Sequence, residues 1–215
     1  KAVVCTKYGP PEVLQIQEVE KPIPRDNEVL VKVYATSVSA ADSMVRSFKV
    51  PRSIWLPVRL FLGIKKPRKS ILGMELSGKV ESIGKDVRSF KKGDQVFAAS
   101  LQTFGAYAEY ICLPEVGPIA LKPTNITYEE AAAMPIGART ALLYLKKIAN
   151  MKRGQKVLIY GASGSVGTYA VQLAKCFGAE VTAVCSTANI DMVRDLGADL
   201  LIDYTMPDYT EQFET

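Results

Sequence analysis

The sequence predicts an α/β protein in two parts, a small β-barrel followed by the first half of a doubly wound parallel sheet. Three observations carry that prediction. Short β-branched segments, separated by turns such as Gly84-Lys85-Asp86 and Lys92-Gly93-Asp94, fill residues 1–122. A capping box, Thr127-x-x-Glu130, then opens a helical stretch. From Val157 onward strand and helix alternate, with Gly161, Gly164 and Gly167 at the first strand-to-helix turn. The predicted boundaries are a barrel domain over 1–122, connecting helices over 123–150 and half of a nucleotide-binding domain over 151–215.

In chain order, alternating or β-branched runs predict strands over 1–6, 14–19, 28–35, 76–83, 95–99 and 106–113. Pro135 breaks the helix opened at Thr127. A second helix begins near Gly137, with Ala138, Leu142, Leu145 and Ile148 on one face. Val157, Leu158, Ile159 and Tyr160 read as a buried parallel strand that leaves an open edge in a half sheet. Ala170, Val171, Leu173 and Ala174 form the apolar face of the helix after the glycines. A second strand over 180–185, a helix over 189–196 capped by Gly197 and a third strand over 200–204 follow.

A length of 215 residues allows one or two domains, and 48% hydrophobic with 23% charged residues is the balance of a globular chain. No run of 18 apolar residues occurs, which excludes a helical membrane span. The N-terminus reads directly as a strand and not as a signal peptide, and the absent initiator Met predicts a trimmed chain. Cys5, Cys112, Cys176 and Cys185 are scattered, without a C-x-x-C pair. That excludes a disulfide framework, predicts a reducing, cytoplasmic compartment, and leaves each thiol as a small buried apolar group.

The glycine turn carries the first functional prediction. Glycines at G-x-x-G-x-x-G let the backbone approach a pyrophosphate, and the helix that follows offers unpaired N–H groups at its positive end. The alternative, a glycine-rich turn in an ordinary α/β protein, does not account for the strand–helix alternation downstream. Gly161, Ala162, Ser163, Gly164, Ser165, Val166 and Gly167 are therefore the candidate dinucleotide-binding residues. A ribose-binding acid belongs about 20 residues further on, at the end of the second strand. Cys185, Ser186 and Thr187 stand there instead, and Asp191 falls inside the next helix. Without that carboxylate a 2′-phosphate is admitted. Ser186, Thr187 and Asn189 can hydrogen-bond it, so NADP is preferred to NAD.

Seven stretches complete the pattern. Glu28-Val-Leu-Val-Lys-Val33, Leu72-Gly-Met-Glu-Leu-Ser-Gly78, Phe90-Lys-Lys-Gly-Asp-Gln-Val96, Gly105-Ala-Tyr-Ala-Glu-Tyr110, Ala131-Ala-Ala-Met-Pro135, Thr140-Ala-Leu142 and the glycine turn occur in this order. The chain resembles the medium-chain dehydrogenase/reductase superfamily, in particular its zinc-independent quinone oxidoreductase branch. The resemblance covers essentially the whole sequence. It implies a GroES-like barrel joined to a Rossmann domain, with the active site in the cleft between them and a homodimer when full length. It also implies that complete members are longer, so the biological chain is expected to extend past Thr215.

Two departures bear on chemistry. Zinc-dependent members carry Cys and His where this sequence has Ser39 and Met74. The chain has no histidine and no clustered thiolates, so no metal site is expected. The resemblance places the stretch from Thr36 to Asp42 along the nicotinamide and substrate. It implies catalytic-site roles for Ser39, as a hydrogen-bond partner of an acceptor oxygen, and for Thr140, near the nicotinamide. Asp42 is expected to be structural, Met44 replaces a tyrosine of several relatives, and Tyr107 reads better as a barrel-core aromatic than as an acid. The implied function is transfer of a hydride from NADPH to a quinone or another α,β-unsaturated carbonyl. An enoyl-thioester reductase and a non-catalytic nucleotide-binding protein are the alternatives.

Residues 46–69 are the unusual segment. They hold eight cations (Arg46, Lys49, Arg52, Arg59, Lys65, Lys66, Arg68 and Lys69) and no acid, against a net charge of +5 for the whole chain. An apolar run between them contains Trp55, the only tryptophan. The preferred reading is a lid at the cleft mouth, because Pro57 interrupts any long amphipathic helix. Peripheral contact with an anionic membrane is the alternative. A nucleic-acid surface is excluded by the lack of aromatics interleaved along a basic face.

Overall fold

The computed structural model describes residues 1–101 and 103–209. The chain divides into two compact units, Lys1–Pro135 and Ile136–Thr215. The last six residues of the predicted nucleotide-binding half lie outside the described residues.

The first unit is built on a five-stranded antiparallel sheet. Its strands are β3 (Glu28–Thr36), β4 (Glu75–Ile83), β5 (Gln95–Ala99), β6 (Tyr110–Pro114) and β7 (Ile119–Leu121), in the order β6-β3-β4-β5-β7. Inward valines and leucines close its core: Val29, Val31, Leu76, Val80, Val96, Ile111 and Leu113 are buried together. A two-stranded sheet, β1 (Ala2–Cys5) with β2 (Leu14–Gln17), joins it through the bridges Val4 to Ile71 and Ala2 to Ala108. Those bridges correct one expectation. The predicted strand over 106–113 becomes a ladder only from Tyr110, because Tyr107 spends its backbone groups on Leu72 and Val3 instead.

Three short α-helices occur among the described residues of this unit. α1 (Ala40–Ser47) and α2 (Trp55–Leu62) fall in the first 122 residues, which the sequence reads as mostly strand. Pro57 sits in the first turn of α2, where a proline costs no hydrogen bond, and the helix it permits is short, at eight residues. α3 (Tyr128–Ala133) starts at Thr127 with both halves of its capping box formed, and stacks Tyr128 on Tyr34 of β3 at 4.6 Å.

The second unit is a three-stranded parallel sheet, β8 (Lys156–Tyr160), β9 (Glu180–Cys185) and β10 (Leu200–Asp203), in the order β10-β9-β8. α5 (Ser165–Cys176) and α6 (Ile190–Asp195) make the two crossovers. Val171 and Ala174 of α5 and Val193 of α6 pack with Ile159, Val181, Ala183 and Cys185, so both helices cover the same face. The opposite face is largely uncovered in this unit, although Val184 and Ile202 on it are buried. Leu158 is 53% exposed, Tyr160 65% and Leu200 55%, which corrects the prediction of a fully buried first strand. The reason is topological: successive right-handed crossovers in one direction place their helices on one side.

The helix before β8 also departs from expectation. α4 (Gly137–Leu142) runs into a π-helix (Leu143–Ile148), which adds about one residue per turn. The predicted face is thereby rotated apart: Ala141 and Leu145 are buried, while Leu142 and Ile148 are exposed. Among the thiols, Cys5 and Cys185 are buried as predicted, Cys112 is half-buried, and Cys176 is exposed on the outer face of α5.

Candidate functional site

The glycine turn is fixed from behind and open in front. The carbonyl of Val184 accepts hydrogen bonds from both Gly161 and Ala162, each at 3.0 Å, which ties the turn to the end of β9. Gly161 has φ +75°, a left-handed value that L side chains rarely adopt. A Cβ on Gly167 would lie 2.2 Å from the Gly161 carbonyl oxygen, so the first turn of α5 can press against the strand exit only without a side chain there. Gly164, the N-cap of α5, is the opposite case. A Cβ there would meet only the Gly161 carbonyl, at 3.4 Å, and the residue faces solvent.

That arrangement fits a pyrophosphate. The N–H groups of Ser165, Val166 and Gly167 belong to the first helical turn and have no acceptor within the helix. α5 is 12 residues long, and no acid stands in its first turn to compete for them. α4 lies against this helix start: a Cβ on Gly137 would sit 2.8 Å from the Ser165 hydroxyl. Thr140 is therefore carried on the helix that abuts the glycine turn.

The ribose end holds a residue that the sequence reading missed. Asn189 Nδ2 donates to Ser186 Oγ at 2.9 Å, leaving the Ser186 proton free to donate. Thr187 Oγ1 donates to Asp203 Oδ2 at 2.5 Å and contacts Thr205 Oγ1 at 2.7 Å. Asp203 is thus the carboxylate beside the second-strand exit. The parallel register pairs it with Cys185, although 18 positions separate them in sequence. Hydrogen bonds from Thr187, then Thr205, hold its carboxyl below the usual range. Parallel register between consecutive strands is the signal that finds such a residue; distance along the chain from the glycines does not.

In the first unit Ser37, Ser39 and Asp42 of the predicted lining join a partly buried polar cluster. Ser39 is the N-cap of α1, in a full capping box with Asp42. Its hydroxyl donates to Asp42 Oδ2 at 2.6 Å, its N–H reaches the same oxygen at 2.9 Å, and Asp42 N returns to Ser39 Oγ at 3.3 Å. Asp42 is only 3% exposed, and its other oxygen has no hydrogen bond of good geometry. The Tyr107 hydroxyl is buried nearby in the same condition. Burial first, then the Asp42 carboxylate and Glu75, push that phenol far up. Glu75, 5% exposed, accepts from Ser37 Oγ at 2.6 Å. Asp42 and Glu75 thus bring two acidic side chains to this end of the unit, and Asp42 holds the Ser39 proton.

No group of three His, Cys, Asp or Glu side chains able to hold a metal occurs among the described residues. No helix among them is long and apolar enough to cross a membrane.

The comparisons with known proteins bear on both units. The family described as Alcohol dehydrogenase GroES-like domain matches residues 25–123, and the one described as Zinc-binding dehydrogenase matches 165–215. The mouse NAD(P)H oxidoreductase RTN4IP1, mitochondrial, is 38% identical over 100% of this chain and 56% of its own length. The chain belongs to the medium-chain dehydrogenase/reductase superfamily. Within it, the relatives place the chain in the quinone-oxidoreductase-like branch. The quinone oxidoreductase of Sus scrofa is 35% identical over 99% of this chain and 61% of its own. The Escherichia coli quinone oxidoreductase complexed with NADPH superposes with a TM-score of 0.82 at 29% identity, covering 99% of this chain and 61% of that one. The chain therefore spans a little over half the length of the superfamily relatives it matches.

Proposed function

We propose that this chain contributes the barrel domain and the cofactor half-site of an NADPH-dependent oxidoreductase. Its acceptor is a quinone or another α,β-unsaturated carbonyl, and it uses no zinc. The observation that carries the reading is the cradle at residues 161–167, closed to side chains behind Gly167 and open before Gly164. NADPH supplies the hydride when bound there. The likeness to an enzyme crystallised with NADPH supports that choice of ligand. In this reading the N–H groups of Ser165–Gly167 hold the pyrophosphate, and Ser186 and Asn189 hydrogen-bond the 2′-phosphate. Thr187 helps them only by giving up its bond to Asp203.

Ser39 and Thr140 are proposed to position the acceptor. Ser39 orients the acceptor by turning its proton from Asp42 to the acceptor oxygen, and the protons of the reduced quinone come from water. Zinc independence rests on residue chemistry: Ser39 and Met74 offer neither thiolate nor imidazole. We place the protein in a reducing compartment because of its unclustered thiols. The test is NADPH oxidation by the full-length, metal-analysed protein with a simple quinone, an enone and an enoyl thioester as acceptors. NADPH-dependent turnover of the first two at sub-stoichiometric zinc is the expected result. Binding without turnover of any acceptor would leave a nucleotide-binding protein, and zinc held by the chain would refute the metal-free reading.

A further inference from the structure

The segment 46–69 has an inward side and an outward side, and the two are chemically different. Inward, α2 is clamped to its own unit. The Arg59 guanidinium lies 4.4 Å from the Phe48 ring centroid, 4.5 Å from Tyr8 and 5.4 Å from Trp55. Tyr8 and Phe48 pack at 4.9 Å, Phe48 and Trp55 edge-on at 5.9 Å, and the Tyr8 hydroxyl donates to the Gly63 carbonyl at 3.0 Å. A cation enclosed by three rings is held by its attraction to their faces. The helix is thus fixed in orientation.

Outward, α2 presents only apolar groups. Leu56 and Leu60, one turn apart, are 60% and 52% exposed, Phe61 is 71% exposed, and Ile64 just past the helix end is 64% exposed. Around them stand Lys49, Arg52, Lys65, Lys66, Arg68 and Lys69, all exposed, and none of the ion pairs among the described residues uses them. An apolar ridge bordered by unpaired cations is the pattern of a segment that rests on an anionic interface, with side chains below the headgroups and charges among them. One eight-residue helix buries little area, so the charges are required as a second signal.

We propose that residues 49–69 form a peripheral docking surface for an anionic lipid bilayer, with Leu56, Leu60, Phe61 and Ile64 entering the interface. The test is sedimentation of the full-length protein with vesicles of phosphatidylcholine alone and of equal parts phosphatidylcholine and phosphatidylserine. Binding to the anionic vesicles alone is expected, weakening steeply as salt is added. A Lys65→Gln/Lys66→Gln variant should lower that partitioning by about tenfold or more. A Leu60→Ala/Phe61→Ala variant should lower it comparably, with an unchanged circular dichroism spectrum. Absence of binding at low salt would overturn the proposal, as would binding that neither variant weakens. So would a change of the acceptor Michaelis constant in the Leu60→Ala/Phe61→Ala protein with vesicle binding intact, which would make the segment a lid.

Discussion

Gly164 and Gly167 are three positions apart and do opposite work. Adding a methyl at Gly167 forces it onto the Gly161 carbonyl oxygen, so Gly167→Ala should destabilise the second unit by about 1–3 kcal/mol, read as a lower thermal midpoint. Gly164→Val places its Cβ no closer than 3.4 Å to the protein. It should leave the midpoint unchanged and weaken NADPH binding in a titration, by filling the space the pyrophosphate needs. At the ribose end, Ser186→Asp should reverse the NADPH preference in paired binding measurements, since it repels a 2′-phosphate and accepts from a 2′-hydroxyl. Asp203 already places one carboxylate there, so Asp203→Asn should tighten NADPH on the order of fivefold, and NADH far less. The glycine turn was legible because its chemistry is written in consecutive residues. Asp203 was not, because it reaches the site through strand register.

Among the elements, those with local stop and start signals were legible. Thr127 with Glu130 marks α3, and Thr127→Ala should cost roughly 1 kcal/mol of stability in denaturant titration. α1 carries a comparable box, Ser39 with Asp42, but Val45 is its only buried apolar residue, so no helical period announces it. The α4 face was misassigned because nothing in a 3.6-residue period announces a π-helix. A pH dependence belongs to the join between α5 and β9. Asp199 accepts from Lys175 Nζ at 2.6 and 2.7 Å and from Val181 N at 2.6 Å, and these bonds, Lys175 first, lower its pKa. A carboxyl depressed on folding stabilises above its unfolded value of about 3.9 and loses that contribution as pH falls through the folded value. Asp199→Asn should therefore lower the thermal midpoint at neutral pH, with the gap to the parent closing only below about pH 4.

For the whole molecule, the order of barrel, helices and parallel sheet was legible, because hydrophobic period and turn chemistry recur along the chain. Which side of the sheet is covered was not, since that depends on the hand and direction of two crossovers. The open side exposes Leu158, Tyr160 and Leu200 together. The 215-residue chain should accordingly bind a hydrophobic dye, and Leu158→Lys with Leu200→Lys should reduce both the dye signal and self-association in light scattering. The titratable groups carry a different consequence. There is no histidine, and among the described residues the shifted groups move away from neutrality: Glu81, Glu109, Glu115, Asp199 and Asp203 are lowered, while Cys5, Cys112, Cys185, Tyr8, Tyr107, Tyr128 and Lys21 are raised. Between about pH 6 and 8, acidification finds no imidazole here to charge. These residues supply no pH sensor of that kind, so the proposed vesicle binding should not switch across that range in the sedimentation assay.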